Sequence, residues 1–298
     1  MPFAFERDDA NVEQGLRRIA IEQIDKALLS ASGPQADFGE TVHQLRRRCK
    51  NLRGLFRMVR EGMDDFRVED RAIQGAASRL SQVRDAAVVV QTFDKLMDSL
   101  AEAQVLGDQE RQQLRDLLTE RSHGAMLHVD QGAAIAGFCE VLVDVRGRAA
   151  KWTLRHKGFG AIGDGIEDTY RRMRQQMREA EVDGLPAVLH AWRKQAKYHR
   201  NHLMLLRHHA PDVLAGRSKL LAELADLLGV HHDLEMLVEV LSGRIAGASA
   251  ALDSIAAVAA ERQATLAEQA FTLGGQMAAD KPRDLTRQLK RYWTLEAA

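Results

Sequence analysis

His43, Arg46, Arg47, Lys50 and Arg53 recur 147 positions later as His190, Arg193, Lys194, Lys197 and Arg200. The steps between them are those that line side chains up on one face of an α-helix. The apolar positions in between recur as well: Leu45 as Trp192, Cys49 as Ala196, Phe56 as Leu203. A helical face repeated at a fixed offset predicts two tandem α-helical units, 1–150 and 151–298. Like copies related by a pseudo-twofold axis bring like surfaces to a shared interface.

The rest of the chain agrees with an all-α fold. Ala, Leu, Gln, Glu and Arg dominate, and four of the five Pro (34, 186, 211 and 282) fall at plausible helix ends. No stretch alternates β-branched and polar residues as a half-buried strand does. Helices are expected over 10–30, 39–61, 68–100, 108–122, 130–150, 166–181, 185–209, 217–244, 250–273 and 283–295, five in each unit. The Gly-rich HKGFGAIGDG (156–165) follows no strand, so it reads as a connection between the units rather than a phosphate cradle.

The charge pattern is the unusual feature. Residues 41–60 hold seven Arg or Lys and no Asp or Glu, and residues 187–209 are again free of acid. On a helical wheel Val42, Leu45, Cys49, Leu52, Phe56 and Val59 form an apolar seam. His43, Arg46, Arg47, Lys50, Arg53 and Arg57 form the opposite face. Arg57 has no counterpart in the second unit, where Met204 stands. Lys plus Arg equal Asp plus Glu at 42 each, so these stripes are local segregations in a neutral chain. Cations facing one another across a groove repel unless an anion fills it. A basic helix precedes each stripe, with Arg17 and Arg18 in one unit and Arg171, Arg172, Arg174 and Arg178 in the other. Behind each stripe, Arg84–Asp85 aligns with His232–Asp233 at an offset of 148, where the two Asp residues read as structural.

VHQLRRRCKNLR and LHAWRKQAKYHR, each followed by VRDAAV or LLGVHHDLEML, resemble the CHAD family, the conserved-histidine α-helical domain. The resemblance covers nearly the whole chain. It implies two four-helix bundles around a central basic groove or pore, binding of inorganic polyphosphate, and association with polyphosphate granules. By position, the binding residues would be the two stripes named above. Family members often carry a further basic residue near Ile21, apolar here. No E-x-E-x-K strand of a triphosphate-tunnel (CYTH) domain is found, so a standalone copy is expected.

Polyphosphate needs closely spaced cations, and the Arg fork suits phosphate. His43 and His190 could donate to it when protonated, or hydrogen-bond as neutral rings within the bundle. Nucleic acid is the rival ligand, but single-strand binders add aromatic platforms. Here Trp192 falls on the apolar seam and Tyr198 lies off both faces. An enzyme would need acids to hold metal or to move protons, and the stripes have none. The clusters His231–His232–Asp233, His208–His209 and His199/His202 give no four-ligand pattern. The expectation is thus a non-enzymatic polyphosphate binder without a cofactor, any divalent cation arriving with the polyanion. Processing of polyphosphate, or a metal-dependent accessory role, is the alternative. No signal segment or apolar run long enough for a membrane span is present, which points to the cytoplasm. Cys49 reads as a buried thiol.

Overall fold

The computed structural model describes residues 3–33, 38–99, 106–127, 130–242 and 250–295; side chains at 81–86, 125–127 and 250 lie outside that description. The described residues form eleven α-helices and no strand: α1 (Val12–Ser32), α2 (Phe38–Val59), α3 (Phe66–Arg79), α4 (Ser81–Ser99), α5 (Asp108–Leu127), α6 (Gln131–Ala149), α7 (Gly163–Asp183), α8 (Pro186–Leu205), α9 (Pro211–Ser242), α10 (Ala250–Met277) and α11 (Pro282–Leu295). The all-α expectation holds.

Local chemistry sets several ends. Asn11 caps α1 by accepting from the Gln14 amide, and Asp130 caps α6 by accepting from Ala133. Gly184 ends α7 in the left-handed region at φ 59°, and Pro186 opens α8 directly after it. Pro211 and Pro282 open α9 and α11 in the same way. Two boundaries depart from the expected ones. The segment 68–100 is two helices, broken at Leu80, whose buried side chain anchors the corner. The Gly-rich connection ends early: a 3-10 turn covers Gly158–Ala161, and Gly163 and Gly165 already belong to α7. A Cβ on Gly165 would stand 2.2 Å from the Met58 carbonyl oxygen, so glycine is what lets α7 cross the end of α2.

α2 and α8 sit at the centre. α2 packs on α1, α3, α7 and α8; α8 packs on α2, α7 and α9. α6 covers α1 and α3, α11 covers α7, and α9 carries α10 and α4, with α5 on α4. The seam read from the sequence is buried at every position from Val42 to Val59, and Leu55 and Met58 are buried too, because α7 and α8 close over that end of α2. Trp192 is fully buried and stacks on Phe271 at 5.3 Å. One hydrophobic core takes side chains from α1, α2, α3, α6, α7, α8, α9, α10 and α11; a second joins α4, α5, α9 and α10. Cys49 is buried as expected, and burial pushes its thiol up to about 12. Among the described residues, no helix is long and apolar enough to cross a membrane.

Candidate anion-binding site

α2 and α8 cross near the C-terminal ends of the two basic stripes. The Asn201 amide donates to the Lys50 carbonyl at 3.2 Å, and His202 Nε2 lies 3.0 Å from the Gly54 carbonyl. A Cβ on Gly54 would touch Asn201 at 2.6 Å. Gly54 and Asn201 are equivalent positions under the 147-residue offset, so the crossing sets like against like. Arg57 of α2 lies over the Tyr198 ring of α8, 4.2 Å from its centroid. Such a contact is worth about 0.5–2 kcal/mol.

Along α2, His43, Arg47 and Lys50 are exposed, while Arg46, Arg53 and Arg57 are half-buried. Along α8, Lys194 is exposed, and His190, Arg193, Lys197 and Arg200 are half-buried. Arg47 and Lys194, equivalent in the repeat, are in no ion pair among the described residues. Arg193 is held against α9: its Nε donates to the Ala225 carbonyl at 3.2 Å, and its guanidinium fills the space left by Gly229, whose Cβ would lie 2.9 Å from it. The His190 ring tilts onto His232 at 4.4 Å, and His232 in turn reaches Glu235 at 3.2 Å. Burial, His232, and the charges of Lys194, Arg193 and Lys197 push His190 down to about 4. In the free protein, then, His190 is a neutral ring near pH 7.

The far end of the α2 stripe is not left unbalanced. Asp70 of α3 accepts from Arg53 at 2.8 Å and from Arg57 at 2.7 Å, and Gln74 accepts from Arg53 at 3.1 Å. Burial raises the Asp70 carboxyl, but its bonds to Arg53 and Arg57 outweigh this and leave it lowered. The acid missing from α2 itself is supplied in space by α3 at this end. Asp70 and Tyr198 are the two site residues that sequence reasoning missed.

The flanking arginines are engaged elsewhere. Arg17 donates to Glu13 and to the Trp152 carbonyl; Arg18 is gripped by both oxygens of Asp9 at 2.7 Å and also reaches Glu22 and the Ala4 carbonyl. Arg171 and Arg172 pair with Glu167 and Asp168, and Arg174 donates to the Ala278 carbonyl. The structure thus gives all five internal partners and groups none of them with the α2–α8 crossing contacts. The Arg84–Asp85 side chains lie outside the described residues. His199 and His202 are fully buried in the core, His199 against Tyr170 at 5.0 Å. Among the described residues, no group of three or more His, Cys, Asp or Glu is placed to hold a metal ion.

Charge is segregated across the molecule. α2 and α8 together carry ten Lys or Arg against one Glu, while α9 and α10 carry nine Asp or Glu against three Lys or Arg.

The fold and its central pair define an all-α domain built on two crossing cationic helices. The chain belongs to the CHAD family: the CHAD domain model matches residues 18–242, and no CYTH domain is detected. The family is associated with polyphosphate binding. Among solved structures, the crystal structure of the CHAD domain from the plant Ricinus communis is similar at 16% identity and TM-score 0.57, covering 89% of this chain and 92% of that one. PptA from Streptomyces chartreusis is similar at 14% identity and TM-score 0.60, covering 88% of this chain and 98% of that one. At these identities the likeness concerns the fold. No curated protein matches the sequence.

Proposed function

We propose that this protein binds inorganic polyphosphate along the basic faces of α2 and α8, without turning it over, as a cytoplasmic protein that associates with polyphosphate granules. The observation that supports this reading is that α2 and α8, each carrying a cationic face, cross at equivalent positions, with Arg47 and Lys194 exposed at matching places in the repeat. The ligand would lie along the groove between two pseudo-twofold copies. His43, Arg46, Arg47 and Lys50 would serve it from one side, and His190, Arg193, Lys194, Lys197 and Arg200 from the other. Arg53 and Arg57 join once a phosphate competes with Asp70. Divalent cations would come with the chain.

Two features favour polyphosphate over nucleic acid. Trp192 is in the core, and Tyr198 has Arg57 over its face, so neither offers a bare ring for a base. Support for a binding rather than catalytic role is that Asp70, the carboxylate against the stripe, is already held by two guanidiniums.

Charge reversal tests the reading. Lys50→Glu with Lys197→Glu replaces two equivalent cations, one exposed and one half-buried. We expect polyphosphate affinity to fall by at least about a hundredfold at physiological salt, each reversed contact being charge-assisted, with the helical circular dichroism and melting temperature preserved. Unchanged affinity in a folded double variant would sink the proposal.

A further inference from the structure

α11 lies beyond residues 18–242, the span matched by the CHAD model. It is strongly two-sided. Leu285 and Leu289 are buried, and Trp293 packs edge-on against Phe5 at 5.9 Å and Phe159 at 6.3 Å, with the His209 ring at 4.2 Å. The opposite face carries Arg283, Arg287, Lys290 and Arg291, all exposed. At 100° per residue these four cations share an arc of about 100°. Asp284, which accepts from Arg287 at 3.1 Å, is the one carboxylate on the helix. α7 adds an exposed Asp164, beside the Gly163 that faces Thr286.

This face is on a different helix from the α2–α8 stripes. α11 packs on α7 and on the 3-10 turn after α8. Past Lys197, α8 runs eight more residues, about 12 Å, before it ends. The apolar side of α11 is occupied by the core, so the helix has no hydrophobic edge to bury in a bilayer. What it presents is a row of cations, three of them Arg, suited to a chain of phosphates.

We propose that the outer face of α11 is a second polyphosphate-contacting surface, so that one molecule holds two chains or two segments of one long chain. The inference rests on the polyphosphate reading of α2 and α8. Its energetic consequence is avidity. Once a long chain is seated on the first site, its remote segments reach α11 as an intramolecular event, which raises affinity without a new partner.

The test uses the full-length protein and the quadruple variant Arg283→Gln, Arg287→Gln, Lys290→Gln, Arg291→Gln. All four positions are exposed, so the fold should survive, and thermal melting checks this. Both proteins are titrated with a polyphosphate too short to reach both faces and with a long one, and light scattering is followed as the long chain is added. We expect short-chain affinity to stay within about twofold, long-chain affinity to fall by about tenfold or more, and scattering from cross-linked chains to be lost. Unchanged long-chain affinity and scattering would overturn the inference while leaving the first site standing. An equal loss for short and long chains would also overturn it, by making α11 part of the first site. Wild-type protein that binds neither chain would overturn the first reading and this one with it. Binding of phosphatidylserine vesicles through α11, with long-chain affinity unchanged, would reassign the face to a lipid surface.

Discussion

His202 makes acid stability a quantitative test of the packing at the α2–α8 crossing. Its side chain is fully buried, and burial, helped by the nearby Arg57 charge and opposed by its bond to the Gly54 carbonyl, lowers it to about 4. In the unfolded chain the same group titrates near 6.5. Between these values the unfolded chain binds the proton and the folded protein does not. Stability is therefore full above about pH 6.5 and is lost as pH falls towards about 4. From pH 7.5 to 5 the loss from His202 alone is about 2 kcal/mol, or about 3 °C in Tm for a protein of this size. His199, fully buried and lowered first by burial and then by the Arg217 charge, acts in the same direction. The assay is thermal unfolding across that pH range for the wild type and for His202→Gln. Gln can donate to the Gly54 carbonyl and does not titrate. The variant should lose less Tm than the wild type on acidification, by the His202 share. Parallel curves for the two proteins would refute the burial argument at this crossing.

Three further outcomes follow from the same structure. Asp70→Asn removes the internal anion between Arg53 and Arg57; polyphosphate should bind several-fold tighter, and log affinity should fall more steeply with log salt by about one phosphate contact or more, measured by titration over a salt series. Gly165→Ala drives a Cβ into the Met58 carbonyl; backbone has to move, and chemical denaturation should show a loss of about 3 kcal/mol or more. A phosphate chain beside His190 favours its protonated form, so binding should take up protons and strengthen as pH drops from 7.5 to 6; His190→Gln should flatten that pH dependence of affinity.

Much of this was legible in the sequence because helix periodicity and burial are local. The apolar seam from Val42 to Val59, the burial of Trp192 and Cys49, and the paired basic faces all follow from spacing along single helices. What escaped depends on pairs of helices. Asp70 sits on α3, and nothing in one sequence ties it to Arg53 and Arg57 seventeen and thirteen residues away. Tyr198 lies off both faces of α8 when that helix is considered alone, and only the arrival of α2 gives it a partner. The same crossing buries His202, and Tyr170 of α7 lies against the buried His199; the spacing of the two invited comparison with metal ligands. The break at Leu80 carries no Pro or Gly and is made by tertiary packing; Ser81 after it is the one cap-forming hint. Gly163 and Gly165 looked like connection because glycine is common there, whereas their role is close helix contact.

Everything proposed for this protein depends on the two stripes binding polyphosphate. The most direct measurement is equilibrium titration of the purified protein with polyphosphate of defined lengths at physiological salt, beside single-stranded DNA of matched length. Polyphosphate should bind tightly and with a dependence on chain length, and DNA much more weakly. Equal affinity for both would contradict this by making the crossing a generic anion surface, and binding of neither would return the stripes to solvated helix faces.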